Sequence, residues 1–284
     1  MFRAFFVSLV ALSYTLLVGT PFLVHAVLSR NTDTLYSIGR LGTRIVLWLA
    51  GVRFEVHGLE KIPRQAAVFM ANHQSNCDPP AIFLILPPIL VLAKKEFFRV
   101  PILGRAMVLR GFIPVDRQNR EKAIGAVEAA TKSLKAGHSF MAFPEGTRSS
   151  DGRLRQFKKG VFVMAIKAGA PIVPISVSEG RKIMPKGKFS ITPGILRITI
   201  HDPVPTEGCT LDDRERIIGL VRQAILEGLS VEEWPLEPVR SGAKATSGSA
   251  DSAGRGISGL VTEASRLLTM TPNLFPRHSR DPSC

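Results

Sequence analysis

At 284 residues with 45% hydrophobic side chains, the chain is long enough for one large domain or two small ones, and wholesale disorder is excluded. Its 37 Lys+Arg against 23 Asp+Glu give a formal net charge of +14, which predicts attraction to a polyanion, either nucleic acid or an anionic lipid surface. Aromatic residues are only 7% of the chain, and no basic–aromatic run resembles a stacking platform for single strands. Lipid headgroups or phosphorylated metabolites are therefore favoured, and nucleic acid is not expected as a partner.

The first apolar stretch covers residues 4–29, which contain no Asp, Glu, Lys or Arg. A membrane-spanning helix needs roughly 20 apolar residues, so this stretch is long enough for a membrane anchor, although Pro21 and His25 interrupt it. A cleaved signal peptide is one alternative, with Arg3 as its charged start. A core helix of a soluble protein is another.

A second apolar stretch follows at once, at residues 35–54, and favours the anchor. Its apolar residues recur at helical spacing around Arg40 and Arg44, which predicts an amphipathic helix in the membrane interface with its arginines toward the headgroups. Residues 1–53 are thus predicted to form a two-helix membrane anchor. Most of the flanking arginines follow the first stretch, so the positive-inside bias places the rest of the protein on the cytoplasmic face of the cell membrane.

Residues 54–232 alternate between strand and helix patterns. Strands are predicted around residues 52–58, 66–73, 88–95, 110–117, 138–143, 171–178 and 195–204, and helices at 78–86, 119–137, 158–169 and 211–229. Asp78 is the predicted N-cap of the first of these helices, and Thr210 with Asp213 forms a capping box before the last. The expected fold class is α/β: a single domain with a mainly parallel sheet flanked by helices, preceded by the membrane-anchoring segment. Residues 233–284 are predicted to be a flexible, low-complexity tail.

His73 follows a predicted buried strand, and Asp78 begins the next predicted helix. Ligands bind at such strand ends in open α/β sheets, and the spacing lets the carboxylate reach back to one imidazole nitrogen. A histidine held in this way suits a general base near neutral pH. A polar turn with an incidental histidine is the alternative. Neither an HExxH zinc motif nor a GxSxG serine elbow occurs, and the cysteines form no CxxC pair.

Two further stretches carry positive charge near predicted strand ends. The first, residues 93–117, contains six cations: Lys94, Lys95, Arg99, Arg105, Arg110 and Arg117. They form either an anion-binding site or a solvated basic face. In the second, FPEGTRS at residues 143–149, proline and glycine force a turn that exposes Glu145, Thr147 and Arg148. No GxxxxGK[ST] loop occurs, so a nucleotide P-loop is excluded.

Taken in order, these stretches resemble the glycerolipid acyltransferase family, specifically the bacterial 1-acyl-glycerol-3-phosphate acyltransferases. NHxxxxD of that family is matched at residues 72–78, KxxFxxPxxG at 95–104, GxxxxDR at 111–117, FPEGTRS at 143–149 and VP[IV] at 173–175. The resemblance implies transfer of an acyl chain from acyl-CoA or acyl-carrier protein to the sn-2 hydroxyl of lysophosphatidic acid at a membrane surface, with no bound cofactor and no metal.

The resemblance also implies roles for individual residues. His73 would be the general base and Asp78 its orienting partner. The acceptor would be bound by Lys94, Lys95, Arg117, Glu145, Gly146, Thr147 and Arg148. Asp116 and Arg117 are alternatively a structural ion pair. Other acceptors (another lyso-lipid or glycerol-3-phosphate) and a catalytically inactive lipid-binding protein remain the alternative functions.

Overall fold

The N-terminus forms one long helical rod in the computed structural model, which describes residues 1–116 and 118–236. Helix α1 (Phe2–Tyr14) runs through a π-helical turn (Thr15–Gly19) into α2 (Thr20–Ser29). Pro21 follows the π-helical turn within the rod, and because proline has no N–H, it makes no backbone hydrogen bond to the preceding turn. The 28-residue rod is long and apolar enough to cross a membrane. Only 11% of its most apolar window is buried in the protein, so it is not the core helix of a soluble fold.

Helix α3 (Asp33–Leu49) folds back along this rod. Arg3 donates to the Ala50 carbonyl at 3.4 Å and the Tyr14 hydroxyl donates to the Ile38 carbonyl at 2.9 Å, so the two helices run antiparallel. Arg44 is exposed, and its direction toward lipid headgroups stays a prediction. The prediction that Arg40 also points toward lipid headgroups is wrong.

The Arg40 side chain instead makes hydrogen bonds within the protein. Its guanidinium donates to the carbonyls of Leu84 and Leu86 at the end of α4 (Asp78–Ile85). The last carbonyls of a helix have no intrahelical partner, so a cation there satisfies them. Arg40 thereby ties the N-terminal segment to the domain that follows it.

A seven-stranded sheet forms the centre of that domain, in the order β1-β7-β6-β2-β5-β3-β4. Every neighbouring pair is parallel except β6 and β7. The expected α/β fold with a mainly parallel sheet is therefore confirmed. The strands are β1 (Val52–His57), β2 (Val68–Ala71), β3 (Leu90–Lys94), β4 (Ile113–Val115), β5 (Phe140–Ala142), β6 (Ile172–Ser178) and β7 (Gly194–Ile200).

Six helices follow the N-terminal segment among the described residues: α4, α5 (Leu103–Leu109), α6 (Arg120–Lys135), α7 (Gly160–Ala168), α8 (Gly180–Ile183) and α9 (Arg214–Glu227). The short helices α5 and α8 have no predicted counterpart. The capping box of Thr210 and Asp213 is confirmed and opens a 3₁₀ turn before α9. The prediction that Asp78 is the N-cap of α4 is wrong. Cys77 takes that position, and Asp78 is the first helical residue.

The sheet separates two apolar cores. Val68 and Met70 of β2 face the core that includes residues of α6, α7 and α9, whereas Phe69 and Ala71 face the core on the side of α3 and α4. Strands buried on both faces read as continuous apolar runs, which explains the sequence of β2. This rigid central strand leads directly to His73.

The described part of the domain continues past the predicted boundary at residue 232. The Leu154 N–H donates to the Glu233 carbonyl at 2.8 Å, and Arg153 donates to the Trp234 carbonyl at 2.8 Å. The indole N–H of Trp234 in turn donates to the Leu226 carbonyl on α9 at 3.2 Å. Residues 237–284 of the predicted tail lie outside the described residues.

Candidate active site

The residue before His73 joins two neighbouring strands. The side chain of Asn72 donates to the Val177 carbonyl at 2.8 Å and accepts from the Val177 N–H at 2.7 Å. Asn72 is buried, and an amide that pairs with both backbone groups of one residue reproduces a strand–strand contact. This clamp fixes where the chain leaves β2.

His73 and Asp78 form a direct pair at the carboxyl end of β2. The His73 Nδ1 lies 2.9 Å from the Asp78 Oδ2, and the two side chains are 15% and 0% exposed. Because Nδ1 donates to the carboxylate, Nε2 is left as the basic nitrogen of the neutral ring. The imidazole also stacks on Phe143 with ring centroids 4.1 Å apart. The imidazole is thus held in one orientation, and Nε2 is the ring nitrogen that can accept a proton.

The turn between β2 and α4 holds the carboxylate of Asp78 in place. Its Oδ2 accepts the backbone N–H groups of Gln74 and Ser75, each at 2.7 Å. A β-carbon on Gly180 would lie 2.6 Å from the other oxygen, so only glycine fits at the start of α8. Three donors on one oxygen and a glycine against the other leave the carboxylate a single orientation.

Glu145 braces the main chain of the histidine. Its Oε1 accepts the His73 N–H at 2.6 Å and its Oε2 accepts the Arg155 N–H at 3.1 Å. The side chain is only 3% exposed, so the prediction that the turn exposes Glu145 is wrong. This burial raises the pKa of Glu145 to about 7. Both carboxylate oxygens thus accept backbone N–H groups of the protein, and Glu145 holds the main chain of His73 in place.

The FPEGTRS turn lies against the histidine loop. The Ser149 N–H donates to the His73 carbonyl at 2.8 Å, and Gly146, at a φ of 71°, closes the turn by donating to the Phe143 carbonyl. Thr147 is exposed and Arg148 is half-buried. Among the described residues, the Arg148 guanidinium has no hydrogen bond or ion pair, so it is available to an anion.

Lys94 and Lys95 lie at the same end of the sheet as His73, because β3, β5 and β2 are parallel and all three residues lie at the carboxyl ends of their strands. Lys95 is paired with Asp116 at 2.6 Å, an interaction that lowers the pKa of Asp116. Lys94 lies 3.4 Å from Glu96 on the surface. Arg117 falls outside the described residues, so neither its predicted phosphate contact nor its alternative pairing with Asp116 is described.

Three contacts near the site have no signal in the sequence. The Gln74 amide donates to the Glu233 carboxylate at 2.9 Å, and Glu233 also accepts from Ser178 at 2.5 Å. Lys186 donates to the Arg148 carbonyl at 2.8 Å and so brings a further cation to the FPEGTRS turn. These partners are far apart in the chain, and only the fold brings them together.

Comparison with known proteins points to one family. A family model described as Acyltransferase matches residues 53–178, which contain both the histidine pair and the FPEGTRS turn. The alpha form of 1-acyl-sn-glycerol-3-phosphate acyltransferase from Homo sapiens is 36% identical over 206 residues, which cover 72% of each chain. The chloroplastic 1-acyl-sn-glycerol-3-phosphate acyltransferase of Arabidopsis thaliana is 37% identical over 155 residues. That match covers 54% of this chain but only 44% of the plant protein.

A solved structure shows the same fold. The crystal structure of the 1-acyl-sn-glycerophosphate acyltransferase of Thermotoga maritima superposes with a TM-score of 0.69 and 27% sequence identity. The match covers 80% of this chain and 94% of the Thermotoga maritima chain. The likeness therefore extends well beyond the 53–178 segment that the family model matches.

Proposed function

We propose that this protein is a lipid O-acyltransferase, because the chain belongs to the family of 1-acyl-sn-glycerol-3-phosphate acyltransferases. The reaction is the transfer of an acyl chain from acyl-CoA or acyl-carrier protein to the sn-2 hydroxyl of lysophosphatidic acid, which makes phosphatidic acid. The observation that carries this proposal is the 2.9 Å pair between the His73 Nδ1 and the buried Asp78 carboxylate. No bound cofactor is needed for the chemistry.

His73 acts as the general base of a direct transfer. Its Nε2 takes the proton of the acceptor hydroxyl while the hydroxyl oxygen attacks the thioester carbonyl carbon. The tetrahedral intermediate collapses, the C–S bond breaks, and the imidazolium returns the proton to the leaving thiolate. Asp78 stabilises that imidazolium and holds the ring in one orientation. A general base of this kind contributes roughly 10²- to 10⁴-fold to the rate.

Arg148 is the proposed ligand of the acceptor's phosphate. Arg148 directly precedes Ser149, whose N–H donates to the His73 carbonyl. Its guanidinium has no partner among the described residues and has the fork geometry that suits phosphate oxygens. Lys94, Lys95 and Arg117 are the further candidates from the sequence, although the ion pair of Lys95 with Asp116 makes Lys95 a less available ligand. Gly146 and Thr147 belong to the same exposed turn, whereas we assign Glu145 to positioning of the His73 main chain.

The N-terminal segment is the proposed membrane anchor. The largely uncovered apolar rod Phe2–Ser29 and the exposed Leu41 and Trp48 of α3 provide a surface for lipid. Since both acceptor and product are lipids, membrane association supplies the substrate to the site. We place the α/β domain, residues 54–232 with the adjoining residues 233–236, on the cytoplasmic face because arginines follow the rod in excess.

The general-base assignment is tested with His73→Ala in the purified full-length protein. Release of free CoA from acyl-CoA in the presence of lysophosphatidic acid is expected to fall by roughly 10²-fold or more, because no other base replaces the imidazole. His138→Ala is the matched control, since His138 is exposed at the end of α6 and is expected to leave the rate unchanged. A His73→Ala protein that keeps the wild-type rate would refute the mechanism.

The acceptor is tested with Arg148→Ala. Loss of a charge-assisted contact to phosphate, worth about 1.5–3 kcal/mol, is expected to raise the KM for lysophosphatidic acid by roughly 10- to 100-fold with a smaller effect on kcat. Arg64→Ala, an exposed arginine before β2, is the control. An unchanged KM for lysophosphatidic acid in Arg148→Ala would refute the phosphate contact and favour an acceptor without a phosphomonoester.

A further inference from the structure

An exposed apolar segment lies between β3 and β4, outside the proposed catalytic machinery. We call residues 97–109 the apolar hairpin. Its exposed side chains include Phe97 (53%), Leu103 (45%) and Val108 (60%), with Val100 and Leu109 also uncovered. Single apolar residues on a surface are ordinary, but a contiguous apolar patch marks an interaction site.

Gly104, the last residue of the sequence motif KxxFxxPxxG, helps to hold the hairpin in shape. A β-carbon on Gly104 would overlap the carbonyl of Phe98, so only glycine allows this close approach. Ile102 has a φ of 64°, a conformation that β-branched residues rarely adopt and that persists only where the surroundings impose it. The Gly104 N–H also donates to the Val100 carbonyl at 2.8 Å. The apolar side chains are therefore presented outward by a defined turn.

The hairpin is continuous with the N-terminal rod. Ile102 packs against the rod at Gly19: a β-carbon added to this glycine would lie 3.6 Å from the Ile102 Cγ2. A groove of about 490 Å³ runs between the two elements and is lined mainly by apolar residues: Leu23, Val24, Val27 and Leu28 on the rod and Phe98, Val108 and Leu109 on the hairpin. One apolar surface thus extends from the rod across the hairpin.

Positive charge accompanies this surface. Arg99 and Arg105 are exposed within the hairpin, and the exposed Lys94 directly precedes it. Apolar side chains together with arginines match a bilayer interface with anionic headgroups, in which the apolar groups lie about 5–10 Å deep. A soluble protein partner would require no such continuity with the rod.

We propose that the apolar hairpin inserts into the interface of an anionic bilayer beside the rod Phe2–Ser29, as a second membrane contact made by the catalytic domain itself. The inference rests on the membrane association proposed above. The hairpin begins just after the carboxyl end of β3, and His73 lies at the carboxyl end of the parallel strand β2, at the same end of the sheet. Its insertion therefore sets the active site at the level of the headgroups, where the acceptor's hydroxyl lies.

The test measures the depth of single positions in the membrane. The full-length protein, with Cys209→Ser and Cys284→Ser, is reconstituted in vesicles of phosphatidylcholine and phosphatidylglycerol, and a fluorophore is attached through Val108→Cys. Cys77 stays unlabelled because it is buried and its pKa is raised to about 12 by that burial. Quenching by lipids that carry bromine on the acyl chain reports contact with the bilayer.

Two further positions make the outcomes distinguishable. Leu220→Cys, on an exposed apolar position of α9 (47%), is the control, and Leu28→Cys (79% exposed) reports the rod. We expect several-fold stronger quenching at Val108→Cys than at Leu220→Cys, and a weaker signal at Val108→Cys when phosphatidylglycerol is omitted. Quenching at Leu28→Cys but not at Val108→Cys overturns the inference and indicates a protein partner for the hairpin. Quenching at neither position removes the membrane association on which the inference rests, whatever the acyl-transfer assay shows.

Discussion

Replacing Glu145 by glutamine is expected to change how the stability of the protein depends on pH. The wild-type carboxyl is buried, and desolvation raises its pKa from 4.5 to about 7. The folded protein therefore binds this proton more tightly than the unfolded chain does. Stability from this group is fully present below about pH 4.5 and is lost as the pH rises to about 7.

The magnitude follows from the size of that pKa change. Each tenfold change in proton affinity is worth about 1.4 kcal/mol, so a rise from 4.5 to about 7 corresponds to about 3 kcal/mol of unfolding free energy lost across the window. Glutamine has no proton to lose and keeps one oxygen for either the His73 or the Arg155 N–H. The cost of Glu145→Gln is therefore expected to be about 3 kcal/mol larger at the acid end of the window than at the neutral end.

The assay is thermal unfolding of the detergent-solubilised wild type and variant at about pH 5 and about pH 8, followed by circular dichroism. Because both proteins share every other titratable group, the difference between their Tm values isolates Glu145. That difference is expected to change by roughly 6–12 °C between the two conditions, given about 2–4 °C per kcal/mol for a domain of this size. Glu128→Gln, at an exposed position of α6, controls for the loss of one surface carboxylate. An equal Tm difference at both pH values would refute the argument.

Two further substitutions test the parts that hold the site and the hairpin. Asn72→Ala leaves the buried N–H and carbonyl of Val177 without partners, at a cost of about 1–3 kcal/mol each, and is expected to lower both Tm and kcat; unchanged values of both would contradict the clamp. Gly104→Ala is expected to lower the Tm because the new methyl group overlaps the carbonyl of Phe98, whereas the open helical position of Gly125→Ala is expected to raise stability by about 1 kcal/mol. Similar Tm values for the two alanine variants would show that the close contact is not required.

Sequence patterns predicted neither the short helices α5 and α8 nor the direction of β7. Helices α5 and α8 span seven and four residues, too few for a helical period to show, and neither has a side-chain cap. Hydrophobic alternation identifies β7 as a strand but carries no information on its direction, which the structure shows to be antiparallel to β6. Arg40 lies on an amphipathic helix, yet only the position of α4 decided that it caps a helix end.

What the sequence alone determined was local: the apolar rod, the long helices α6 and α9, the buried strand before His73, and the spacing that lets Asp78 reach the imidazole. These features depend on residues within a few turns of one another, where periodicity, capping residues and turn formers act directly. The tertiary structure decided the partners that hold the base in place. Glu145 reaches the His73 N–H across 72 residues, Asn72 reaches Val177 across 105, and Gln74 reaches Glu233 across 159. Such contacts depend on the order and register of the strands, because these bring distant chain segments together at the same end of the sheet.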